Sequence, residues 1–600
     1  MNASTPKQEI LTALRQKMQE AGIDFYVIPS GDFHGSEYLS NHFRTICFVS
    51  GFTGSAGTLV ISREEAWLWT DGRYFIQAER QIAGSGFGLM RMAQAGVPTV
   101  EEYLKDKMAP GQTLGFDGRV VTAKLVSGWE KALAEKGVKL APGRDLVGEL
   151  WEDRTPQDFH DAFILKEWYT GKSAADKMKE VREEMVRLQA DVYCLTSLDD
   201  IAWLLNIRGA DLPNTPVVFG FVMMTAEQCT FYCRQAALND TVKEYLKDQG
   251  VELAEYEAFW QAAGAVPAGK TVLFDPMKTA YRLKADLPEG VKQAEATNPT
   301  ALMKCLKNPV EQEALRESHR KDGIAMVKWL YWLYHQDNIE ALSEIDVSDY
   351  LEKCRREAGA FGLSFDTIAA MGPNAAMMHY KATPEGAARL KKEGFLLVDS
   401  GGQYKEGTTD ITRTMAMGPL TEEQKRHYTA VLRSMLRLGS AKFLKGCTCY
   451  FLDILARGPV WDMGIDYRCG TGHGIGFVLN VHEGPNRFIW NKPLSLDGLV
   501  ELKAGMVTTD EPGVYIEGSH GIRIENELLC VELENNEYGQ FMGFEHLTLC
   551  PIDLTAVIWE EVGPQERRAL NEYHAMVYER LKDGLSEAEA AWLKEVTKAV

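Results

Sequence analysis

The chain has 600 residues, 45% hydrophobic and 25% charged, with a formal net charge of −20. That length exceeds what one hydrophobic core serves, so several globular domains are expected. The acidic balance argues against a general nucleic-acid binder, which needs a basic face.

The first residues, MNASTPKQEI, lack a basic-then-apolar leader. No apolar run reaches the roughly 18–20 residues of a membrane span. The eleven cysteines are scattered, with no CxxC pair. The reading is a cytoplasmic protein with reduced thiols, and with neither nucleic acid nor membrane as a partner.

Residues 7–21 place Ile10, Leu11, Leu14 and Met18 on one helical face, and the run at 25–29 reads as a buried strand. Gly51, Gly54, Ser55 and Gly57 mark turns; they lack the GxGxxG or GxxxxGK spacing of a phosphate loop. Residues 67–74 give a strand and a polar turn, and 114–118 a strand ending at an Asp turn. These elements define an α/β domain over 1–155. A degenerate copy follows over 156–305: a helix at 172–189, a strand at 191–195, a segment 200–220 in the place of 41–60, and a strand at 271–276.

Asn308 and Pro309 open the next helix as cap and first residue. Leu315, Ile324, Val327, Leu330 and Tyr331 follow at helical spacing. A second helix is expected at about 347–358. A third spans 421–445, opened by Thr421 and Gln424 as a capping box and closed at Gly446. Strand-like runs at 395–399, 411–417, 506–509 and 522–529 imply a curved sheet with helices outside it, in a domain over 306–540. The tail, 541–600, reads as a strand at 547–551 and helices at 564–581 and 586–598, the latter with Ser586 and Glu589 as a capping box.

The chemistry concentrates in the third domain. Asp399 ends the apolar run 395–398, and Asp410 starts another strand. A carboxylate at the end of a buried strand costs several kcal/mol unless it is paired or metal-bound. Neighbouring antiparallel strands would bring the two together. His473 lies between Gly472 and Gly474, where backbone can approach a ligand closely. Glu511 precedes a Pro-Gly pair. Alternation across 522–529 puts Arg523, Glu525 and Glu527 on one face, either solvated or facing a metal. Each residue alone has an ordinary structural explanation. Together, four carboxylates and an imidazole suit two divalent ions of the Mn²⁺, Zn²⁺, Co²⁺ or Fe²⁺ type, a pair that sits about 3.5–4 Å apart in hydrolases.

VDSGGQY (398–404), GTTDITRT (407–414), GTGHGIG (470–476), NVHEGP (480–485), EPGVY (511–515) and GIRIENE (521–527) occur in this order. The set resembles the pita-bread metallopeptidases, and most closely the three-domain aminopeptidase P family. WLLNIRGAD (203–211) and LCPID (549–553) extend the likeness over nearly the whole chain. The resemblance implies two creatinase-like α/β domains (1–155 and 156–305), a catalytic pita-bread domain (306–540) and a C-terminal extension (541–600). It implies two divalent ions, most simply Mn²⁺ with Zn²⁺ or Co²⁺ as alternatives. Asp399 would chelate one, Asp410 and Glu525 would bridge both, and His473 and Glu511 would complete the second. His379 and His482 match substrate-binding histidines, Glu511 a proton carrier, and Arg523 a residue that orients Glu525 or its surroundings. Cys469 departs from the pattern: it stands where many members carry a pocket histidine.

The implied reaction releases the first residue of short peptides with proline second, in a homodimer. A tertiary amide offers no N–H for positioning, so such an enzyme depends on activating the carbonyl. Two alternatives stand beside this reading: a prolidase restricted to dipeptides, and a non-catalytic binding module on the same fold. Length and the duplicated leading domains favour the aminopeptidase, and the retained ligand set argues against the binding module.

Overall fold

The computed structural model describes residues 1–490 and 499–600. The chain forms two compact units, one of Met1–Leu165 with Lys172–Thr300 and the other of Lys166–Gly171 with Ala301–Val600.

Two six-stranded sheets build the first unit. In one, the buried strand Phe25–Pro29 runs antiparallel to Thr58–Ser62 and parallel to Thr113–Gly115. Ala66–Thr70 and Gly88–Arg91 extend one side, and Lys139–Ala141 the other. The second sheet repeats this order and every strand direction around Val192–Leu195. The duplication expected from the sequence is thus a duplication of topology. Both central strands are buried along their length, as strands covered on both faces must be. The helix Lys7–Glu20 buries Ile10, Leu11, Leu14 and Met18, the face its spacing predicted.

The second unit opens its long helix Pro309–Tyr334 at Asn308, whose side chain accepts from the Val310 and Glu311 N–H groups. The next helix is Glu344–Glu357; it starts ahead of the expected 347 because Ser343 caps it. The Thr421–Gln424 box opens Glu422–Gly439. This helix stops short of the expected 445. A side chain at Gly439 would come within 2.5 Å of the His546 ring, and the chain instead forms the strand Phe443–Leu444 against Gly539–His546. The helix Cys449–Trp461 was not anticipated, since Pro459 in its last turn masks the helical pattern.

Three antiparallel strands, Ile368–Met371, Phe395–Ser400 and Ile411–Ala416, form one wall of the unit. A six-stranded sheet containing Gly472–Gly474, Val507–Asp510 and Asn526–Asn536 forms another. The run 522–529 is not one strand. His520–Arg523 pairs with Gly513–Ile516, the ladder breaks at Ile524 and Glu525, and the chain joins the larger sheet at Asn526. At the break the Glu525 N–H donates to the Thr412 carbonyl at 3.1 Å. The apolar faces of the helices pack over these strands.

Residues 547–551 are buried but form no strand. Side chains take the place of a strand partner: Arg413 donates to the Cys550 and Pro551 carbonyls, and the Tyr573 hydroxyl bonds those of Thr548 and Cys550. Arg413, 2% exposed, also reaches the Glu525 carbonyl at 2.6 Å and Asn526 Oδ1 at 2.9 Å. The helix Pro564–Leu581, through Tyr573, is thereby tied to the backbone that carries Glu525.

Burial pushes the imidazoles of His520, His546 and His574 down to about 4; His427 adds to the effect on His520, and Arg413 to that on the other two. His574 Nε2 accepts from the Ile552 N–H at 3.1 Å, a bond only the unprotonated nitrogen makes. An unfolded imidazole titrates near 6.5, so below that pH the unfolded chain takes up protons that the folded chain refuses. Stability is expected to fall as pH drops from about 6.5 toward about 4. Denaturation midpoints across that window check this, and His574→Gln should flatten the slope; a slope indifferent to that change would contradict the assignment.

Candidate metal centre

Strand pairing places the first two acids. Asp399 stands opposite Thr412 in the ladder, and Asp410 lies just before that strand begins. Glu525 arrives from the sheet-switching segment, and its Oε2 accepts from the Thr412 hydroxyl at 2.7 Å. The same hydroxyl accepts from Arg523 Nε at 3.0 Å. The two terminal nitrogens of Arg523 reach Asp399 Oδ2 at 2.5 Å and the Tyr515 hydroxyl at 2.6 Å. Arg523 therefore grips Asp399 directly and Glu525 through Thr412.

His473 comes from the far wall. The ladder slips there: His473 pairs with Arg487 but Gly474 with Glu483, an irregularity that re-aims the side chain. The glycines serve a different purpose from the one expected. A Cβ at Gly472 would lie 1.8 Å from the Thr509 carbonyl oxygen, and one at Gly474 2.2 Å from that of Glu483. The close approach seen here is between strands. The 3.0 Å contact between Nδ1 and the Gly474 carbonyl assigns the ring proton to Nδ1. Nε2 then faces Glu511 Oε1 at 3.2 Å and Asp410 Oδ2 at 3.5 Å. Asp410, His473 and Glu525 each offer a ligand atom, and these atoms lie within 4.8 Å of one another.

The carboxylates are nearly sealed from solvent: Asp399 is 8% exposed, Asp410 4% and Glu525 1%. The solvated alternative for the 523–527 face is excluded, since Arg523, Glu525 and Glu527 are all buried. Burial, then mutual repulsion, pushes Asp410 and Glu525 well above the usual carboxylate range. Asp399 is raised by burial despite Arg523. Burial also acts upward on Glu511, but His473, with Arg523 and His482, outweighs it and holds this carboxyl below its ordinary value. Asp399 Oδ1 and Glu525 Oε1 are buried without a hydrogen-bond partner. Clustered acids with orphaned oxygens beside an imidazole nitrogen form a donor set that fits divalent cations, whose charge would offset the repulsion.

His482 packs edge-on against His473, with ring centroids 4.2 Å apart. His379 lies half-buried in the turn after Gly372–Ala376, and the preceding Met378 carbonyl accepts from Arg523 at 3.5 Å. Cys469 is half-buried on the cluster that includes Tyr467, Val514 and Tyr515, and its carbonyl accepts from Arg457. Sequence reasoning missed Thr412 and the support behind Asp410. The Asp410 N–H donates to Glu527 Oε1 at 2.7 Å, and that oxygen lies 3.1 Å from His319 Nε2. The only signal was local: polar residues at 408–410 and 412–414 flanking or interrupting what otherwise reads as a core strand.

Residues 313–532 match the family described as metallopeptidase family M24. Residues 11–150 and 153–311 match creatinase/prolidase N-terminal domains, and 540–600 the C-terminal region of peptidase M24. A probable Xaa-Pro aminopeptidase P of Laccaria bicolor is 38% identical over 96% of this chain and 90% of that relative. The chain belongs to metallopeptidase family M24. Other relatives of the family agree over the full length. Aminopeptidase P1 of Arabidopsis thaliana is 36% identical, covering 99% of both chains. The crystal structure of an X-prolyl aminopeptidase from Caenorhabditis elegans, described as a cytosolic enzyme with a di-nuclear active site, superposes with a TM-score of 0.93 at 32% identity, covering 99% of this chain and 100% of that one. A prolidase from Thermococcus sibiricus shares the fold over only 64% of this chain, at 21% identity and a TM-score of 0.51.

Thr412→Val keeps the shape of the strand but removes the hydroxyl shared by Glu525 and Arg523. It is expected to weaken Mn²⁺ binding about 10–100-fold. Calorimetric titration measures this; an unaltered affinity would show that the hydroxyl orients nothing.

Proposed function

We propose that this chain is a Xaa-Pro aminopeptidase that uses two divalent cations, with Mn²⁺ as the working metal, to remove the first residue from short peptides whose second residue is proline. The observation that carries the reading is the buried convergence of Asp410, His473 and Glu525 in a chain similar over its full length to proteins named Xaa-Pro aminopeptidase P. Asp399, Asp410, His473, Glu511 and Glu525 would hold the cations. Bound there, the cations would supply a water of lowered pKa and positive charge for a developing oxyanion.

The protein's own groups account for the remaining chemistry. Glu511 is held ionised by His473 against the effect of burial, so it is ready to accept the proton of the attacking water. It passes that proton to the proline nitrogen as the carbon–nitrogen bond breaks. His482, against His473, and His379 steady the carbonyl being attacked. Arg523 fixes Asp399 and, through Tyr515, meets the pocket wall near Cys469.

A homodimer in the cytoplasm completes the proposal. The described helices include none long and apolar enough to cross a membrane, and the similar worm enzyme is described as cytosolic. The helix Cys449–Trp461 leaves Phe451 and Ile454 exposed, with Trp461 against Trp490 beside them, an apolar surface of the kind a second copy covers. The domain limits 1–155, 156–305, 306–540 and 541–600 belong to the same proposal.

The deciding assay sets Gly-Pro against a longer Xaa-Pro peptide. Release of the first residue from the longer peptide, abolished by a chelator and restored by Mn²⁺, is expected; cleavage of the dipeptide alone would make the chain a prolidase. Asp410→Asn should lose nearly all turnover with the fold retained. His482→Ala should lose turnover about 10²-fold or more with its metal content intact. Normal kinetics in either variant would remove that residue from the site.

A further inference from the structure

Glu344 lies outside the metal centre, at the first position of the helix Glu344–Glu357. It is 0% exposed. Its Oε1 accepts from the Met371 N–H at 2.7 Å and from Asn374 Nδ2 at 2.9 Å. Its Oε2 accepts from the Tyr380 hydroxyl and the Ala388 N–H, both at 2.8 Å. A carboxylate has about four acceptor directions, and here one chain segment occupies them all. That segment, 371–388, carries His379 between Asn374 and Tyr380. Further bonds repeat the pattern: the Glu344 N–H donates to the Ala388 carbonyl, and Asn374 Nδ2 also meets the Tyr380 hydroxyl.

We propose that Glu344 is the positioning residue for His379, a buried carboxylate that folds the segment 371–388 around itself and so sets where the histidine meets substrate. This rests on the substrate role of His379 proposed above. Burying an ionised carboxylate is costly unless hydrogen bonds replace its water, so nothing cheaper than this full set of donors holds Glu344 there. The converse gives the segment its shape. With Glu344 in place, its donors are drawn to one point, and the turn between them has little freedom. The segment also packs tightly at Ala375: a side chain at Gly521, on the strand leading to Arg523, would meet the Ala375 carbonyl oxygen at 1.8 Å.

Glu344→Gln tests the arrangement with almost no change of volume. Asn374 and Tyr380 can turn to accommodate an amide, but backbone N–H groups cannot. Whichever way the glutamine is placed, its NH₂ opposes the N–H of either Met371 or Ala388. The expected result is a fall in kcat/KM of about tenfold or more, mainly in kcat, with the stoichiometry and affinity of Mn²⁺ binding unchanged. Hydrogen exchange should quicken within 371–388 and not at the strands holding Asp399 and Asp410. Tyr380→Phe, which removes the hydroxyl's bonds to Glu344 and Asn374 but leaves both backbone N–H bonds to the carboxylate in place, should show the same pattern at about fivefold.

A double-variant cycle separates this role from a merely structural one. If Glu344 acts through His379, then Glu344→Gln combined with His379→Ala turns over no more slowly than His379→Ala alone. Normal kinetics in Glu344→Gln, loss of bound Mn²⁺, or losses that multiply in the double variant would each overturn the proposal. Normal turnover by His379→Ala would instead sink the substrate role of His379, and the positioning role with it. An impaired His379→Ala with multiplying losses would sink the positioning role alone.

Discussion

Burying several carboxylates side by side is unfavourable twice over, through lost hydration and through mutual repulsion. The second unit is organised around that cost. Asp399, Asp410 and Glu525 approach one another where water is nearly excluded, with the partly exposed Glu511 beside them. Arg523 compensates for part of the charge, and the Thr412 hydroxyl carries its grip across to Glu525. What remains uncompensated is the feature a pair of divalent cations answers. A protein that only needed stability would have placed apolar residues on these strands.

Holding such a cluster together requires rigid supports, and each candidate ligand comes from or beside a strand. The wall of Phe395–Ser400 and Ile411–Ala416 supplies Asp399 and Asp410. The irregular ladder at Gly474 aims His473 from the opposite side. Glu525 sits where the chain leaves one sheet for another, and its backbone is fixed from both directions, by the Thr412 carbonyl and by Arg413. Arg413 then reaches Tyr573. The C-terminal region thus bears on the centre through three hydrogen-bonded groups without contributing a ligand.

Much of this was legible in the sequence, and the reasons for the remainder are physical. The acids announced themselves by conflict: an Asp after Phe395-Leu396-Leu397-Val398 has no reason to be there unless something holds it. Capping boxes at Thr421 and Ser586 marked helix starts correctly because they are local chemistry. Helix ends depended on distant partners. Beyond Gly439, the last helical residue, the chain pairs as a strand with Gly539–His546, about a hundred residues on, and no local pattern encodes that partner. The same holds for 547–551: the Leu547 N–H still meets the Glu527 carbonyl, but the carbonyls of Thr548, Cys550 and Pro551 go to Arg413 and Tyr573. Alternation across 522–529 failed because period-two reasoning assumes one unbroken ladder. Thr412 and His319 were invisible, and Glu527 was seen without its part as acceptor for the Asp410 N–H, for a related reason: these roles exist only once remote segments meet.

The carboxylates also show what separates a ligand from a support. Glu344 has all its acceptor directions filled, and Glu483, beside His482, is ion-paired with Lys307 at 2.6 Å and Lys304 at 3.3 Å. Glu344 binds the segment that carries His379, and Glu483 adjoins His482 in the chain. Asp399 and Glu525 each keep an oxygen unpartnered. An orphaned oxygen is not sufficient, because Asp510 has two and is held well above the usual carboxylate range by burial and by Glu511. What Asp510 lacks is convergence: among the described residues, no imidazole nitrogen and second carboxylate close on it as they do at Asp410, His473 and Glu525. On the function proposed, the partnered acids would shape the loops around the reacting bond, and the converging acids would face the cations. A bond to proline offers no N–H to grip, so the first group would serve to place the carbonyl and the second to polarise it. The division of buried acids into these two groups follows from the substrate's own missing donor.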